Sequence, residues 1–462
     1  YDANTNALAA DITLGNLVSG EALNHSGTAT IGSANAGSYT ISNLTGITIA
    51  DGSGGAASNY TLTGGTHNFT VNRRVVGVSG TRLYDATTNA VASDLSTHAN
   101  LVGSETLNLS GTGTIASKDV GSSKTVTVGT LALADGSNGG LAANYTLSGG
   151  THQLTVNQRP LNATLVRQYD GTTNAAGSTL SSLDALQGGE TLTMTGSGTA
   201  ASANVANGIA MSSNGNLALA DGTGLASNYS LNSTVINIAK RVLNSSGSKL
   251  YDANTNALAG AITLSNLVSG EAVNHSGTAT TSSANAGSYT ITNLAGITIA
   301  DGSGGTASNY TLTGGTHNFT VNQRLLNATL ARQYDGTTAS AGSTLSSFDA
   351  LQAGETLTLS GSGTAASTNV ANGISVSSLG TLALVNGTGL ASNYSLNSAS
   401  LNITQRILNS SGSKTYDANT NALAADITLG NLVSGEALNH SGTATIGSAN
   451  AGSYTISNLT GI

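Results

Sequence analysis

The chain has 462 residues, 60 of them Gly, and a formal net charge of −8. Charged residues make up 8%, against roughly 25% in ordinary soluble domains, and there is one Pro, Pro160, with no Trp and no Cys. This excludes a disulfide scaffold or Cys-based zinc site, collagen and a charged disordered tail. So few basic residues argue against nucleic acid as a partner, and no apolar run is long enough to read as a membrane-spanning helix.

Self-comparison sets the organisation. A Tyr-Asp pair recurs at Tyr1, Tyr84, Tyr169, Tyr251, Tyr334 and Tyr416, with spacings of 83, 85, 82, 83 and 82 residues. Counting from these pairs predicts modules at 1–83, 84–168, 169–250, 251–333 and 334–415, and a partial one at 416–462. Modules starting at Tyr1, Tyr251 and Tyr416 are close copies; those at Tyr169 and Tyr334 form a second type and Tyr84 opens a third. Residues 416–462 repeat residues 1–47 unchanged, and the pattern begins in mid-stride at Tyr1. The expectation is a stretch of a longer repetitive chain, whose leader peptide lies upstream if there is one.

Within a module the opening Tyr-Asp is followed by the best helix candidates, Ala7–Ala10 or Ser182–Gln187, each a turn or two. An acidic turn follows, at Glu21, Glu105, Glu190, Glu271, Glu355 and Glu436. Next come segments that alternate polar and apolar residues, such as Ser38–Ser42 and Ile47–Ala50. Their period of two and their Thr, Val, Ile and Tyr content predict strands. Asp51-Gly52-Ser53-Gly54-Gly55 and its copies predict turns. Late in each full module stands an Asn-Tyr pair, with its Tyr at Tyr60, Tyr145, Tyr229, Tyr310 and Tyr394, and then a strand such as Phe69–Asn72. The fold class predicted is all-β: a tandem array of small two-layer antiparallel β modules of about 82 residues, with a continuous β-solenoid as the alternative.

The junctions contain no linker, and Phe69–Arg74 runs on into Val75–Val78 as if in one shared strand. Of the 14 basic residues, all but Lys118 and Lys124 lie at junctions. One set is Arg74, Arg159, Arg241, Arg324 and Arg406; the second is Arg82, Arg167, Lys249, Arg332 and Lys414. Both sets are expected to cover the seams, next to orphan carbonyls or to carboxylates such as the Asp of Tyr-Asp. The Tyr residues of Tyr-Asp and Asn-Tyr are expected to anchor each module's core, because there are only three Phe. A strictly left-handed turn after Tyr-Asp is not expected, since Ala3, Ala86, Ala253 and Ala418 occupy the position that is Gly in Tyr169–Thr173.

The repeats resemble the YDG/MBG-type modules of large secreted bacterial surface proteins, the filamentous-haemagglutinin-like adhesins. The resemblance is carried by Tyr-Asp-Gly-Thr-Thr at Tyr169–Thr173 and Tyr334–Thr338, by Ala57–Leu62 and its copies, and by Asn157-Gln158-Arg159. It implies export, a mostly-β module and a role in adhesion or matrix building, and it carries over no catalytic residue.

The residues themselves point to no enzyme, metal site or cofactor. No His is present in the modules starting at Tyr169 and Tyr334, so no His role is general. Asp51, Asp135, Asp221 and Asp301, with Asn386 in the fifth copy, provide one carboxylate or amide per loop. That is far from a Ca²⁺ ligand set and reads as a turn that bonds its own backbone. The functional expectation is the structural repeat region of an extracellular adhesin or fibre, a stiff stalk or matrix filament in adhesion and biofilm. The alternative is a multivalent carbohydrate-binding array. Partners under these readings are further copies of the chain, through unblunted strand edges, and host or matrix carbohydrate.

Overall fold

The computed structural model describes residues 1–462, with the side chain of His98 left aside. It is all-β: short strands alternate with single 3₁₀ turns, and no α-helix occurs among the described residues. Contacts divide the chain into two compact units, Tyr1–Ala239 and Lys240–Ile462. Every sheet closes within one repeat.

Strand pairing places each repeat slightly earlier than the Tyr-Asp count does. Residues 74–157, 159–239, 241–322 and 324–404 each hold a full set of strands, flanked by partial sets at 1–72 and 406–462. In the second module the first long strand, Gly77–Leu83, ends where Tyr84 begins, and it pairs in parallel with the last strand, His152–Asn157. The third module pairs Arg159–Gln168 in parallel with Tyr229–Ala239. Asn244–Leu250 with His317–Asn322 and Arg324–Gln333 with Tyr394–Thr404 do the same in the fourth and fifth. The other ladders between strands are antiparallel, many of them between strands that are not consecutive in the chain, apart from the short parallel pairs of Arg74–Val75 with Tyr145–Thr146 and Arg241–Val242 with Tyr310–Thr311.

The shared junction strand is therefore corrected. Residues 68–71 belong to the sheet of the first module, and Arg74 opens the next one. At the second junction only Gln158 separates the two strands. The helix candidates are corrected too. Ala9–Asp11 is one 3₁₀ turn, while Thr179–Leu183 is a strand running into a turn.

Along Arg159–Gln168 the inward residues Leu161, Ala163 and Leu165 are buried, and Ile236 and Ile238 face them from the last strand. The hydrophobic cluster of the second module does not stop at its boundary. It runs from Val76 to Leu161 and takes in Leu192 and Tyr229 of the third. The cluster of the fourth module likewise includes Leu357 and Tyr394 of the fifth.

The turn after Tyr-Asp is left-handed in every copy, contrary to the sequence expectation. Ala3, Ala86, Ala253 and Ala418 have φ of 64°, 63°, 62° and 62°, and Gly171 and Gly336 have 78° and 77°. The cause is the Asp. Its Oδ1 accepts the backbone N–H two residues on, 2.9 Å from Thr87 and 3.2 Å from Asn254, which fixes an Asx turn across the Ala. A Cβ in this region costs about 1–2 kcal/mol, and Gly adds roughly 0.5–1 kcal/mol of unfolded-state entropy. Ala253 is exposed, so its methyl contributes little packing. Ala253→Gly is therefore expected to stabilise the unit Lys240–Ile462 by up to about 1 kcal/mol. A rise in its urea midpoint checks this; an unchanged or lower midpoint contradicts it.

Candidate functional site

The residues that the repeats share converge on the seams between modules. The acidic turn is a tight reversal: Glu105 N–H donates to the Val102 carbonyl at 3.0 Å and Glu190 N–H to the Gln187 carbonyl at 2.9 Å. In most copies a single Gly with positive φ precedes the Glu, as at Gly270 (85°) and Gly354 (85°), which suits a type II turn, whereas before Glu190 both Gly188 (58°) and Gly189 (73°) are left-handed, as in a type I′ turn. The turn thus holds one carboxylate at a fixed place on the module's leading face.

Two phenols from different modules bind that carboxylate. Tyr145 of the second module donates to Glu105 Oε2 at 2.5 Å, while Tyr1 of the first donates to Glu105 Oε1 at 2.6 Å. At the next seam Tyr229 donates to Glu190 Oε2 at 2.8 Å and Tyr84 to Glu190 Oε1 at 2.6 Å. At the fourth–fifth seam Tyr394 and Tyr251 take the two oxygens of Glu355. Tyr334 donates to Glu436 at the fifth–sixth seam. Within their own modules Tyr60 meets Glu21 and Tyr310 meets Glu271. The paired rings lie edge to face, 5.3 Å apart, for Tyr1 with Tyr145, Tyr84 with Tyr229 and Tyr251 with Tyr394. Each Asn-Tyr phenol also accepts a backbone N–H from the acidic turn, such as Val102 to Tyr145 at 3.1 Å. Donor and acceptor of the hydroxyl are both used.

The Asn of Asn-Tyr completes the seam. Asn144 is fully buried; its Oδ1 accepts Ala36 N–H at 2.8 Å and its Nδ2 donates to Asn35 Oδ1 at 3.0 Å. Asn228 binds Val120 and Asp119 in the same way, and Asn393 binds Ala286 and Asn285. The Asp-Gly loops set the position of this Asn. Asp51, Asp135, Asp221, Asp301 and Asn386 each accept, through Oδ1, the N–H that opens the 3₁₀ turn carrying Asn-Tyr, at 2.7–2.8 Å.

The two basic sets divide. Arg74 Nη1 reaches the Tyr1 carbonyl across the seam at 3.2 Å, while Nε donates to the Asn100 carbonyl at 2.6 Å. Arg159 links Tyr84 to Ala185, and Arg406 links Tyr334 to Asn431. Arg241 holds Asn266 of its own module. Arg324 opens the first strand of the fifth module, and at this seam Gln352 Nε2 donates to the Tyr251 carbonyl, at 3.3 Å. The partners are carbonyls and amides, not carboxylates.

The second set does not cover seams. Arg82, Arg167, Lys249, Arg332 and Lys414 each pair with the Asp three residues on, as in Lys249–Asp252 at 2.7 Å and Arg332–Asp335 at 2.5 Å, and staple the Tyr-Asp loop of their own module. Lysine goes with an Asn partner, Asn254 or Asn419, and arginine with Thr87, Thr172 or Thr337. Burial pushes the Asp252 carboxyl up, but Lys249 and the backbone and side chain of Asn254 together bring it below the usual range, and Lys414 lowers the Asp417 carboxyl.

Of the tyrosines expected in module cores, Tyr84, Tyr145, Tyr169, Tyr229, Tyr251, Tyr310 and Tyr394 are buried, Tyr1, Tyr60 and Tyr334 are half-buried, and Tyr416 is exposed. The core that Tyr84 and Tyr229 fill spans the seam.

Burial, with the carboxylate beside them, pushes the phenols of Tyr1, Tyr229, Tyr251 and Tyr394 up to about 12. Burial alone would raise the Glu190 carboxyl, but Lys118, Tyr84 and Tyr229 bond its charged form and bring it below its ordinary value. Lys118 lies 2.7 Å from Glu190 Oε1 and is a feature of this seam that the repeat pattern does not show. A carboxylate whose two oxygens each accept a phenol proton acts as a clamp. Among the described residues no group of three or more His, Asp or Glu is arranged to hold a metal ion.

A family model, the YDG domain, matches residues 70–154, 151–236, 239–317 and 324–401. These limits follow the structural repeats and include the strand before each Tyr-Asp. No curated protein matches the chain.

Two outcomes follow from the clamp. Glu190→Ala leaves two buried phenols without an acceptor and is expected to destabilise the unit Tyr1–Ala239 by about 2–4 kcal/mol. A loss under about 0.5 kcal/mol in denaturant unfolding, the range of an ordinary surface substitution, contradicts it. The second outcome concerns pH. The clamped phenols titrate higher folded than unfolded, where the value is about 10. Their stabilisation is complete below about pH 10 and is lost as pH rises through about 12. Glu190, lowered by folding, acts oppositely: its stabilisation is present above about pH 4.5 and is lost as pH falls through its depressed folded value. Thermal midpoints should stay level between these limits and fall outside them. Midpoints that remain level through pH 12 contradict the assignment.

Proposed function

We propose that this chain, a member of the YDG-domain family, is the structural repeat region of an extracellular bacterial adhesin or fibre. It serves as a stiff stalk or matrix filament in cell adhesion and biofilm and carries out no catalytic step. The observation that supports this best is the recurrence of one seam. The same carboxylate, two phenols and buried Asn join the first module to the second, the second to the third and the fourth to the fifth, although the module types differ. Residues kept alike between types are the ones at the seams, as a part selected for its continuity would require. Hydrophobic clusters that run through the seams support the same reading.

A carbohydrate-binding array would need one exposed cluster in every module. The tyrosine rings that could stack on sugars are mostly buried in the seams. A shallow cleft of about 580 Å³ on the second module is lined by Ser79, Thr81, Asp94, Ser96, Gln153 and Thr155. The fourth module has Ala261 where the second has Asp94, at the matching end of its 3₁₀ turn. Asp recurs at this position in the first and sixth modules, as Asp11 and Asp426, but the third and fifth modules have no 3₁₀ turn there. The cleft chemistry does not run through every module, which favours the stalk.

Negative-stain electron microscopy of the 462-residue protein tests the reading. Wild-type particles are expected to keep one contour, and a Glu190→Ala, Glu355→Ala double variant to bend. Wild-type particles as variably bent as the variant would contradict a stiff stalk.

A further inference from the structure

We propose that each complete module is a mechanical clamp, built to resist force applied along the chain. The inference goes beyond the stalk reading and stands without it, since it concerns how one module's ladder is loaded.

It starts from the parallel pairing of first and last strands. When two hydrogen-bonded strands run in the same direction, the chain enters at one end of the ladder and leaves at the other. Tension then slides the strands past each other, and all rungs share the load. Antiparallel terminal strands would leave both chain ends at the same end of the ladder, and tension would open one rung at a time. Here the terminal strands are the parallel pair in each of the four complete modules.

Three further features fit this loading. The pair is central in its sheet: Arg159–Gln168 is flanked by Thr179–Leu183, and Tyr229–Ala239 by Ala206–Ser213. Neighbouring strands thus keep water from the loaded rungs. The ladder is extended by one bond at its far end, where Tyr84 N–H donates to the Asn157 carbonyl and Tyr251 N–H to the Asn322 carbonyl, both at 2.9 Å. Load also reaches the pair without slack: Asn157 and Arg159, or Asn322 and Arg324, end and begin strands with one residue between them.

The modules fall into two grades. The third and fifth pair ten residues in the loaded ladder, three before and seven after a register shift at Leu161/Asn162 or Leu326/Asn327. The second and fourth pair six there, plus two in a separate short ladder at Arg74–Val75 or Arg241–Val242. The second module type is the stronger element in an alternating series.

Single-molecule force spectroscopy of the 462-residue protein, pulled through its ends, tests this. Four unfolding events are expected, each releasing roughly 250–300 Å of contour at about 3.3–3.6 Å per residue. They should fall into two force classes, two weaker and two stronger. For comparison, the Cys-free chain can take handles at Asn274→Cys and Ala300→Cys, exposed and opposite each other in an antiparallel pair. Pulling there opens the antiparallel ladder of Val273–Gly277 with Ile297–Asp301 rung by rung. The same double variant pulled through its ends must keep the four events, which shows that it folds. The expected result is a peeling force several-fold below the end-to-end force of that module. End-to-end unfolding at or below the peeling force, or four events of a single force class, would overturn the clamp and its grading respectively. Either result leaves the contour seen in the microscope unaffected, so the two readings fail separately.

Discussion

A carboxylate shared by two phenols is the interaction on which the rest depends. Glu190 illustrates why. Its side chain is 9% exposed, and a buried charge is tolerated only when its oxygens are satisfied. One phenol comes from the same module and one from the module before it. Neither module alone supplies a full set of partners. The cost of burying the charge is therefore met only when the modules dock, and docking is tied to one geometry. An apolar seam of equal area would tolerate rotation, because dispersion and hydrophobic terms are not directional. The short O–H···O⁻ bonds are directional.

Around this bond the module is arranged as a positioning device. The tight Gly-containing turn aims the Glu, the Asp-Gly loop caps the 3₁₀ turn that presents Asn-Tyr, and the basic staple holds the Tyr-Asp loop. The parallel first and last strands place Tyr-Asp at one end of the module, directly after the first strand. Sheet, loops and staple lead to the same few atoms at the seam. This is why three divergent module types retain the same Tyr, Glu and Asn and vary elsewhere.

Much of this was legible in the sequence. Period-two segments gave the strands, and the self-comparison singled out Tyr-Asp, Glu and Asn-Tyr. Their meeting was not legible, because Tyr84 and Glu190 belong to different modules and lie 106 residues apart. No local pattern reports such a contact. The phase of the repeat was missed for a related reason: the strand before Tyr84 pairs with His152–Asn157, and parallel pairing leaves no turn signal between partners. The left-handed Ala86 was missed because the Asp85 side chain imposes what Gly would otherwise permit. Spacing marked Arg82 and Arg167 as a set, and they pair with the Asp of Tyr-Asp as expected, but the short reach to Asp85 and Asp170 makes them loop staples and not seam residues.

The most direct test of the clamp is a double-mutant cycle on Tyr251 and Glu355 in the 462-residue protein. Tyr251→Phe removes one hydroxyl and keeps the ring; Glu355→Gln removes the charge and keeps the shape. If the phenol of one module and the carboxylate of the next stabilise each other, the two substitutions couple by about 1–2 kcal/mol in equilibrium unfolding. Effects that add within about 0.3–0.5 kcal/mol would show that the two groups act independently, and the clamp would not be what joins the modules.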